Sequence, residues 1–403
     1  MKLVVLTPHF APDSAPTGVV VTRIVEELAA RGHRIEVLTS LPWYRGHSVQ
    51  EGFGGKLVRR EDTPWGEIVR IHPFPTEDKR DILRRAAGFV GFSALAAVIG
   101  SKGDPVDGVL AVSPPLTLGL DGWAIARARK ARFVFNVQDV YPDVAIDLGV
   151  LKSRSVIAAA RRIERFCYAR ADAVTVLSDD LKDNLAAKVD DPHKIEVIPN
   201  FVDTQAIRPV PKENAYRKEH GLEGKRVVMY AGNLGFSQPV ELLIEAAATL
   251  RDEDVAVVIN GNGAKRRELE DKARGLDNVT FVDSQPIARL PEVLGAADIQ
   301  TVILRKGLGA SSVPSKTYSI LAAGRPLVAS VDLGSEVARV LDRSAAGVAV
   351  RPESAAELTK AIRGLLENPA EMESMGAAGR RFIEDWASPA AVAEAYEQLF
   401  NRL

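Results

Sequence analysis

Short apolar runs alternate with amphipathic stretches along almost the whole chain. Residues 2–7 (KLVVLT) have the length and composition of a buried strand. In 19–31, Val20, Ile24 and Leu28 fall on one helical face, and Gly32 sits where a C-cap glycine belongs. Residues 34–39 (RIEVLT) are the next strand. Strand, helix, strand is the unit of a parallel sheet. Residues 58–60 and 67–72 predict further strands around a turn at 64–66, and 108–112, 133–138, 173–177 and 195–198 predict four more, with helical segments between. Prolines 199, 209 and 211, then charged residues and Gly221 and Gly224, read as a linker over 199–224. The alternation then restarts, with strands at 227–230, 255–260, 279–282, 299–304 and 326–331. Helices are expected at 240–250, 264–274, 290–296, 315–323, 355–367 and through 369–403. The pattern predicts two doubly wound α/β domains in tandem, with ligands at the carboxyl ends of their strands and a cleft between the domains as the default site.

Composition narrows the function. Lys and Arg number 52 and Asp and Glu 53, a net charge of −1, so the chain has no global field to hold nucleic acid. One cysteine, Cys167, excludes an internal disulfide and a cysteine-based zinc site, and the six histidines show no metalloprotease spacing. The start lacks the features of a signal peptide, and no run of about 20 apolar residues exists. A cytoplasmic protein is expected.

Candidate chemistry clusters after the expected strands. Residues 311–326 read SSVPSKTYSILAAGRP. Ser315 and Thr317 can cap a helix there, and the first-turn amides favour an anion. Lys316 is unusual, because the helix dipole disfavours a cation in that turn. Either a bound anion accompanies it, or it is a solvent-facing lysine. Residues 230–238 (YAGNLGFSQ) and 259–263 (INGNG) place Gly232, Gly235, Gly261 and Gly263 in strand-to-helix turns. Such glycines allow a ligand to approach the backbone, or merely make a tight turn. In the first half, the loop 7–18 (TPHFAPDSAPTG) is longer than usual for its type and contains His9, which is a functional residue or a structural one. Gln138 and Asp139 end a buried strand, where a ligand-facing polar pair belongs. Asp139, Asp143 and Asp147 match no metal-site spacing, so no metal is expected.

Taken in order, these segments resemble the GT-B glycosyltransferases of family 4. The loop containing Gly18 followed by LAARGHRIEVLT, then VIPNFVD, YAGNLG, INGNG and LAAGRPLVAS, looks like that family's successive landmarks, and the likeness runs nearly end to end. QDVYPD, SPP and PSKTYSILAAG look like a subgroup that builds bacterial surface polysaccharides with amino or deoxy sugars. The resemblance implies two Rossmann-like domains, an acceptor domain at 1–205 and a nucleotide-sugar domain at 206–385, with a helix at 386–403 crossing back to the first. Departures accompany it. The family's two cleft glutamates fall here at Ser311 and Ser319, its Arg and Lys diphosphate pair near Asn233 and Gln238, and a common histidine at Gln138. Lys316 stands where it can take over diphosphate contact. Glu336 is a candidate substitute for a ribose ligand.

The implied activity is a retaining hexosyl transfer from a nucleotide diphosphate, with uridine leading, to a hydroxyl acceptor. The expected catalytic residues are Lys316, Asp139 and Gln138. The expected donor-binding residues are Gly18, Gly232, Asn233, Gly261, Gly263, Ser315, Lys316, Thr317 and Ser319. No cofactor is expected besides the donor substrate. The acceptor is a glycan or a lipid-linked molecule. Lys79, Arg80, Arg84 and Arg85 precede the apolar segment 86–100, which is either a helix docking on an anionic membrane surface or a core helix with a solvated basic end. The alternative function is a non-catalytic nucleotide- or partner-binding protein on the same fold, motivated by the missing glutamates.

Overall fold

The computed structural model describes residues 1–45, 48–75, 82–147, 151–308 and 315–403. It divides into two compact units, 1–200 with 389–403, and 201–388. The sequence pattern put these boundaries at 205/206 and 385/386.

The first unit is built on eight strands: β1 (Lys2–Leu6), β2 (Arg34–Ser40), β3 (Val58–Thr63), β4 (Gly66–Ile71), β5 (Gly108–Ser113), β6 (Arg132–Val137), β7 (Ala173–Val176) and β8 (Ile195–Val197). Their order is β3-β4-β2-β1-β5-β6-β7-β8. All neighbours are parallel except β3 and β4, which pair antiparallel. Every residue of β5 is buried, as a strand covered on both faces requires. The final helix, Pro389–Arg402, belongs to this unit and packs on the first helix, Pro16–Ala30. Arg31 pairs with Glu397 at 2.5 Å across that contact.

The second unit carries β9 (Arg226–Ala231), β10 (Val255–Asn260), β11 (Val279–Val282), β12 (Ile299–Ile303), β13 (Leu327–Ser330) and β14 (Gly347–Val350). Their order, β11-β10-β9-β12-β13-β14, is all parallel and reverses direction between β9 and β12. The sequence pattern left out β14 and the helix before it, Glu336–Ser344.

The segment expected as a linker is instead part of this unit. Its short helix Ala215–Glu219 buries Tyr216 and Arg217. The Arg217 side chain is fully enclosed, with Asp298 at 2.7 Å, Glu213 at 2.7 Å and the carbonyls of Ala296 and Lys225 at 2.7 and 2.9 Å. Asp298 in turn accepts from the Val227 amide that opens β9. Prolines and charge suggested solvent, but the charge is spent on this internal anchor.

One buried carboxyl in the first unit lacks such compensation. Asp121, on the helix Thr117–Arg129, is buried, and its Oδ2 has no hydrogen-bond partner among the described residues. Burial pushes its pKa up to about 7, while a hydrogen bond with Ser93 opposes the shift. The folded state therefore keeps a proton that the unfolded chain releases near pH 4, and stability falls as pH rises from there to about 7. Asp121→Asn is expected to add on the order of 2–4 kcal/mol at pH 8 and little near pH 4. Thermal denaturation at the two pH values checks this; equal gains at both would refute it.

Candidate functional site

In the second unit the chain leaves β9 through Gly232 and leaves β10 through Gly261, and the two turns lie side by side. The Gly232 amide donates to the Asn260 carbonyl at 2.9 Å, Leu234 to Asn262 at 2.9 Å, and Lys265 to Leu234 at 3.0 Å. This backbone contact explains the glycines. A Cβ on Gly261 would lie 1.9 Å from the Gly232 carbonyl oxygen, and one on Gly263 2.3 Å from that of Leu234. Gly263 also holds φ at +159°. The neighbouring loop is thus the structural reason for a glycine at each of these two positions.

Gly232 has a second role. A Cβ there would lie 3.5 Å from Lys316 Nζ. The Lys316 ammonium sits over the Tyr230 ring, 3.8 Å from its centroid, and the Tyr230 hydroxyl donates to the Asn233 carbonyl at 2.7 Å. Nζ is buried with no hydrogen-bond partner among the described residues. Desolvation lowers its pKa to about 7. Among the described residues the neighbours of this buried amine are an aromatic ring and a bare glycine, neither of which supplies a countercharge.

The other expected donor residues are placed as follows. Ser315 is helical and makes no side-chain cap, contrary to the expected capping. The helix Lys316–Ala322 is anchored by packing, with Thr317, Tyr318, Ile320 and Leu321 buried. Thr317 Oγ1 is buried without a partner among the described residues. Ser319 Oγ leans back to the Ser315 carbonyl at 3.5 Å. Asn233 is exposed. Ser311 lies outside the described residues. Glu336 is not a free ribose ligand: it is fully buried, 3.2 Å from Arg339 and 2.6 Å from Arg343 on its own helix.

Two cations that the sequence reading missed flank the same loop. Arg305, just past β12, donates to the Phe236 carbonyl at 2.6 Å and lies 3.6 Å from Glu241. Lys265 is 3.3 Å from Glu268 and 6.0 Å from the Phe236 ring centroid. For Arg305 the signal is its place directly after a buried strand, and Lys265 follows the INGNG turn by two residues.

In the first unit, Gln138 makes no open-ended contact. Its Nε2 donates to Asn136 Oδ1 at 2.7 Å, and its Oε1 accepts from Asn200 at 2.8 Å. Asn136 continues to Thr175 at 3.0 Å and to Tyr396 on the last helix at 2.9 Å. Both ends of the Gln138 amide are thus engaged within the first unit. Asp139 is exposed, and the surrounding protein raises its pKa through partial desolvation. Asp143 instead pairs with Lys188. Gly18 is buried in the first turn of its helix, where a Cβ would press on His9 Cβ at 2.9 Å. No group of three metal-binding side chains occurs among the described residues.

With this geometry in place, comparison with known proteins is informative. Residues 17–200 match the family described as glycosyl transferase 4-like domain, and 225–368 that described as glycosyl transferases group 1. The chain is similar to the glycosyl transferase WcaI of Escherichia coli K12, assigned to colanic acid biosynthesis, at 29% identity over 92% of this chain and 93% of the relative. Among solved structures, sucrose-phosphate synthase from Thermosynechococcus elongatus aligns with a TM-score of 0.67 at 19% identity, covering 100% of this chain and 98% of that one. Anabaena HepE in complex with UDP-glucose aligns at 0.64 and 14%, covering 100% of both. These likenesses show the fold.

The depressed Lys316 pKa has a sign that can be tested. Between about pH 7 and 10.5 the unfolded chain holds a proton that the folded state does not. Stability therefore rises with pH through that window, and the cost of the buried charge is fully present below it. Lys316→Met should raise the melting temperature at pH 6.5 by several degrees, with the gain shrinking toward pH 10. A destabilised Lys316→Met protein at pH 6.5 would overturn this account of the site.

Proposed function

The chain belongs to glycosyltransferase family 4, on the GT-B fold, and on that premise we propose that it transfers a hexose from a UDP-sugar to a hydroxyl acceptor with retention of configuration, in surface polysaccharide synthesis. The observation that carries the donor half of this reading is Lys316: a buried ammonium, unpartnered among the described residues, at the turn that follows the first strand of the second sheet. Uridine is supported by the likeness to a fold-mate crystallised with UDP-glucose, and the polysaccharide by the likeness to a colanic acid transferase.

In this mechanism the difficult step is departure of the nucleotide. Negative charge grows on the diphosphate as the sugar C1–O bond lengthens, and Lys316 meets that charge. A preorganised donor of this kind is typically worth about 3 kcal/mol. Arg305 and Lys265 add positive potential in place of the pair missing at Asn233 and Gln238. The acceptor oxygen attacks C1 from the face the diphosphate leaves, and the leaving phosphate oxygen takes its proton, so no protein nucleophile is needed. Asp139 orients sugar or acceptor hydroxyls. No cofactor is assigned, because Lys316 supplies the countercharge.

UDP, GDP, dTDP, ADP and CDP should be compared by thermal shift. At about 100 times its dissociation constant a bound nucleotide stabilises by roughly 2.7 kcal/mol, a shift of about 5–10 °C. UDP alone is expected to produce it, and Lys316→Ala to remove it while cutting turnover about a hundredfold or more. No shift with any nucleotide would favour a non-catalytic partner-binding protein on the same fold, the reading motivated by serines at the two glutamate positions, Ser311 and Ser319.

The acceptor is proposed to be lipid-linked, with the protein docking peripherally at the cytoplasmic membrane face. No helix among the described residues is long and apolar enough to cross a membrane. On the helix Ile82–Gly100, however, Val90, Ala94 and Val98 are exposed at four-residue spacing, and the segment from 86 onward carries no charge. Lys79 and Arg80 lie outside the described residues, as do the side chains of Arg84 and Arg85. In flotation with phosphatidylglycerol vesicles at low salt, the protein should rise with the lipid, and Val90→Asp with Val98→Asp should abolish this. Native protein that stays at the bottom rejects membrane docking.

A further inference from the structure

The loop between β1 and the helix Pro16–Ala30 is fixed by residues far away in sequence. Ser40 donates to the Pro8 carbonyl at 2.6 Å, Arg70 to the Ala11 carbonyl at 2.7 Å, and Thr22 accepts from the Ala11 amide at 2.9 Å. Thr7 donates to the His9 carbonyl at 3.0 Å. Within this frame, His9 Nδ1 lies 2.7 Å from Asp13 Oδ2. The Asp13 side chain is only 1% exposed, and its carboxylate also accepts from the amides of Trp43 and Tyr44 at 3.5 and 3.3 Å. Every group around the Asp13 carboxylate is a donor, an arrangement that suits the His9 tautomer whose Nδ1–H donates to Asp13. In that tautomer His9 presents a lone pair at Nε2, which has no hydrogen-bond partner among the described residues. Trp43 stacks on the imidazole at 5.7 Å, and the exposed Tyr44 meets it edge-on at 5.4 Å.

We propose that His9, Trp43 and Tyr44 form the acceptor subsite of the transferase, taking a neutral saccharide whose hydroxyl donates to His9 Nε2 while its ring packs on the aromatic faces. The inference deepens the transferase reading and rests on it. Three features favour a saccharide. The site lies past the carboxyl ends of β1 and β2, where parallel sheets bind ligands. Its groups combine one hydrogen-bond acceptor with two aromatic surfaces, which suits a ring that is polar at its edge and apolar on its face. The Asp13 contact locks the tautomer and aim of the imidazole before any ligand arrives. Gly18 belongs to the same device, because a side chain there would push His9 out of position. His9 acts here by holding the acceptor hydroxyl; the proton still leaves with the phosphate.

The test uses full-length protein and a panel of methyl glycosides of glucose, galactose, N-acetylglucosamine, fucose and rhamnose, read by saturation-transfer NMR. At least one should bind the native chain. His9→Asn keeps a group near Nδ1 for Asp13 but deletes Nε2, and should weaken that binding by about tenfold. His9→Gln restores an amide near Nε2 and should recover part of it, whereas Trp43→Ala should not. The UDP thermal shift should be unchanged in all three variants. Absence of binding by every glycoside, or binding that survives His9→Asn, overturns the proposal. Loss of the UDP shift in native protein with glycoside binding intact would instead overturn the donor reading and leave this site standing.

Discussion

A parallel strand cannot be joined to its neighbour by a tight turn, so each must be followed by a crossover that returns the chain to the starting edge. That constraint places every functional candidate in this protein. In the second unit it sets the turns after β9 and β10 against each other and brings the helix carrying Lys316 over Tyr230. In the first it gathers the ends of β1, β2 and β6, and with them His9, Trp43, Gln138 and Asp139. The strands themselves hold little chemistry. Their buried aliphatic faces supply the rigidity against which short loops can be held in costly conformations.

The glycines show how that rigidity is used. Gly261 and Gly263 bring one loop backbone against another, and Gly232 leaves open the space beside Lys316 Nζ. Packing of the two loops accounts for the first two, and the third keeps the side of the Lys316 ammonium clear of a side chain. The Tyr230 ring gives Lys316 partial electrostatic compensation without satisfying it, so the ammonium keeps a depressed pKa in the folded protein. A carboxylate in the same place would have stabilised the fold and removed the anion site.

Much of this was legible in the chain. Alternating apolar and amphipathic runs mark most strands and the two-unit organisation, because buried parallel strands leave a continuous apolar trace. What the pattern missed has physical reasons. The segment 199–224 has the composition of a linker, yet Arg217 is enclosed by Asp298, Glu213 and two carbonyls, partners that only the fold brings together. Lys316 stood out because it violates a local rule at a helix start. Ser315 and Thr317 beside it looked like caps, but Ser315 makes no side-chain cap and Thr317 is buried within the helix, whose position is set by packing. His9 was ambiguous because its meaning depends on Asp13, Ser40 and Arg70, which are ordered around it by three different elements.

The contrast between satisfied and unsatisfied charge separates structure from function here. Arg217 and Arg129 are both enclosed and both well partnered; Arg129 reaches Glu36 and the carbonyls of Gly100, Lys102 and Asp104. Such groups hold elements together, and removing either would leave a buried partner exposed to the same penalty. Lys316 Nζ and His9 Nε2 are the opposite case: among the described residues neither has a hydrogen-bond partner. Asp121, whose Oδ2 also lacks a partner among the described residues, shows that an unpartnered buried atom alone is insufficient evidence, for it sits within a helix and faces Ser93 of another helix. A reading of function requires both conditions, an incomplete polar shell and a location where the parallel sheet delivers its loops. Lys316 meets them in one unit and His9 in the other. In the proposed transfer, charge stabilisation falls to one sheet and hydroxyl recognition to the other, as a reaction between two different molecules requires.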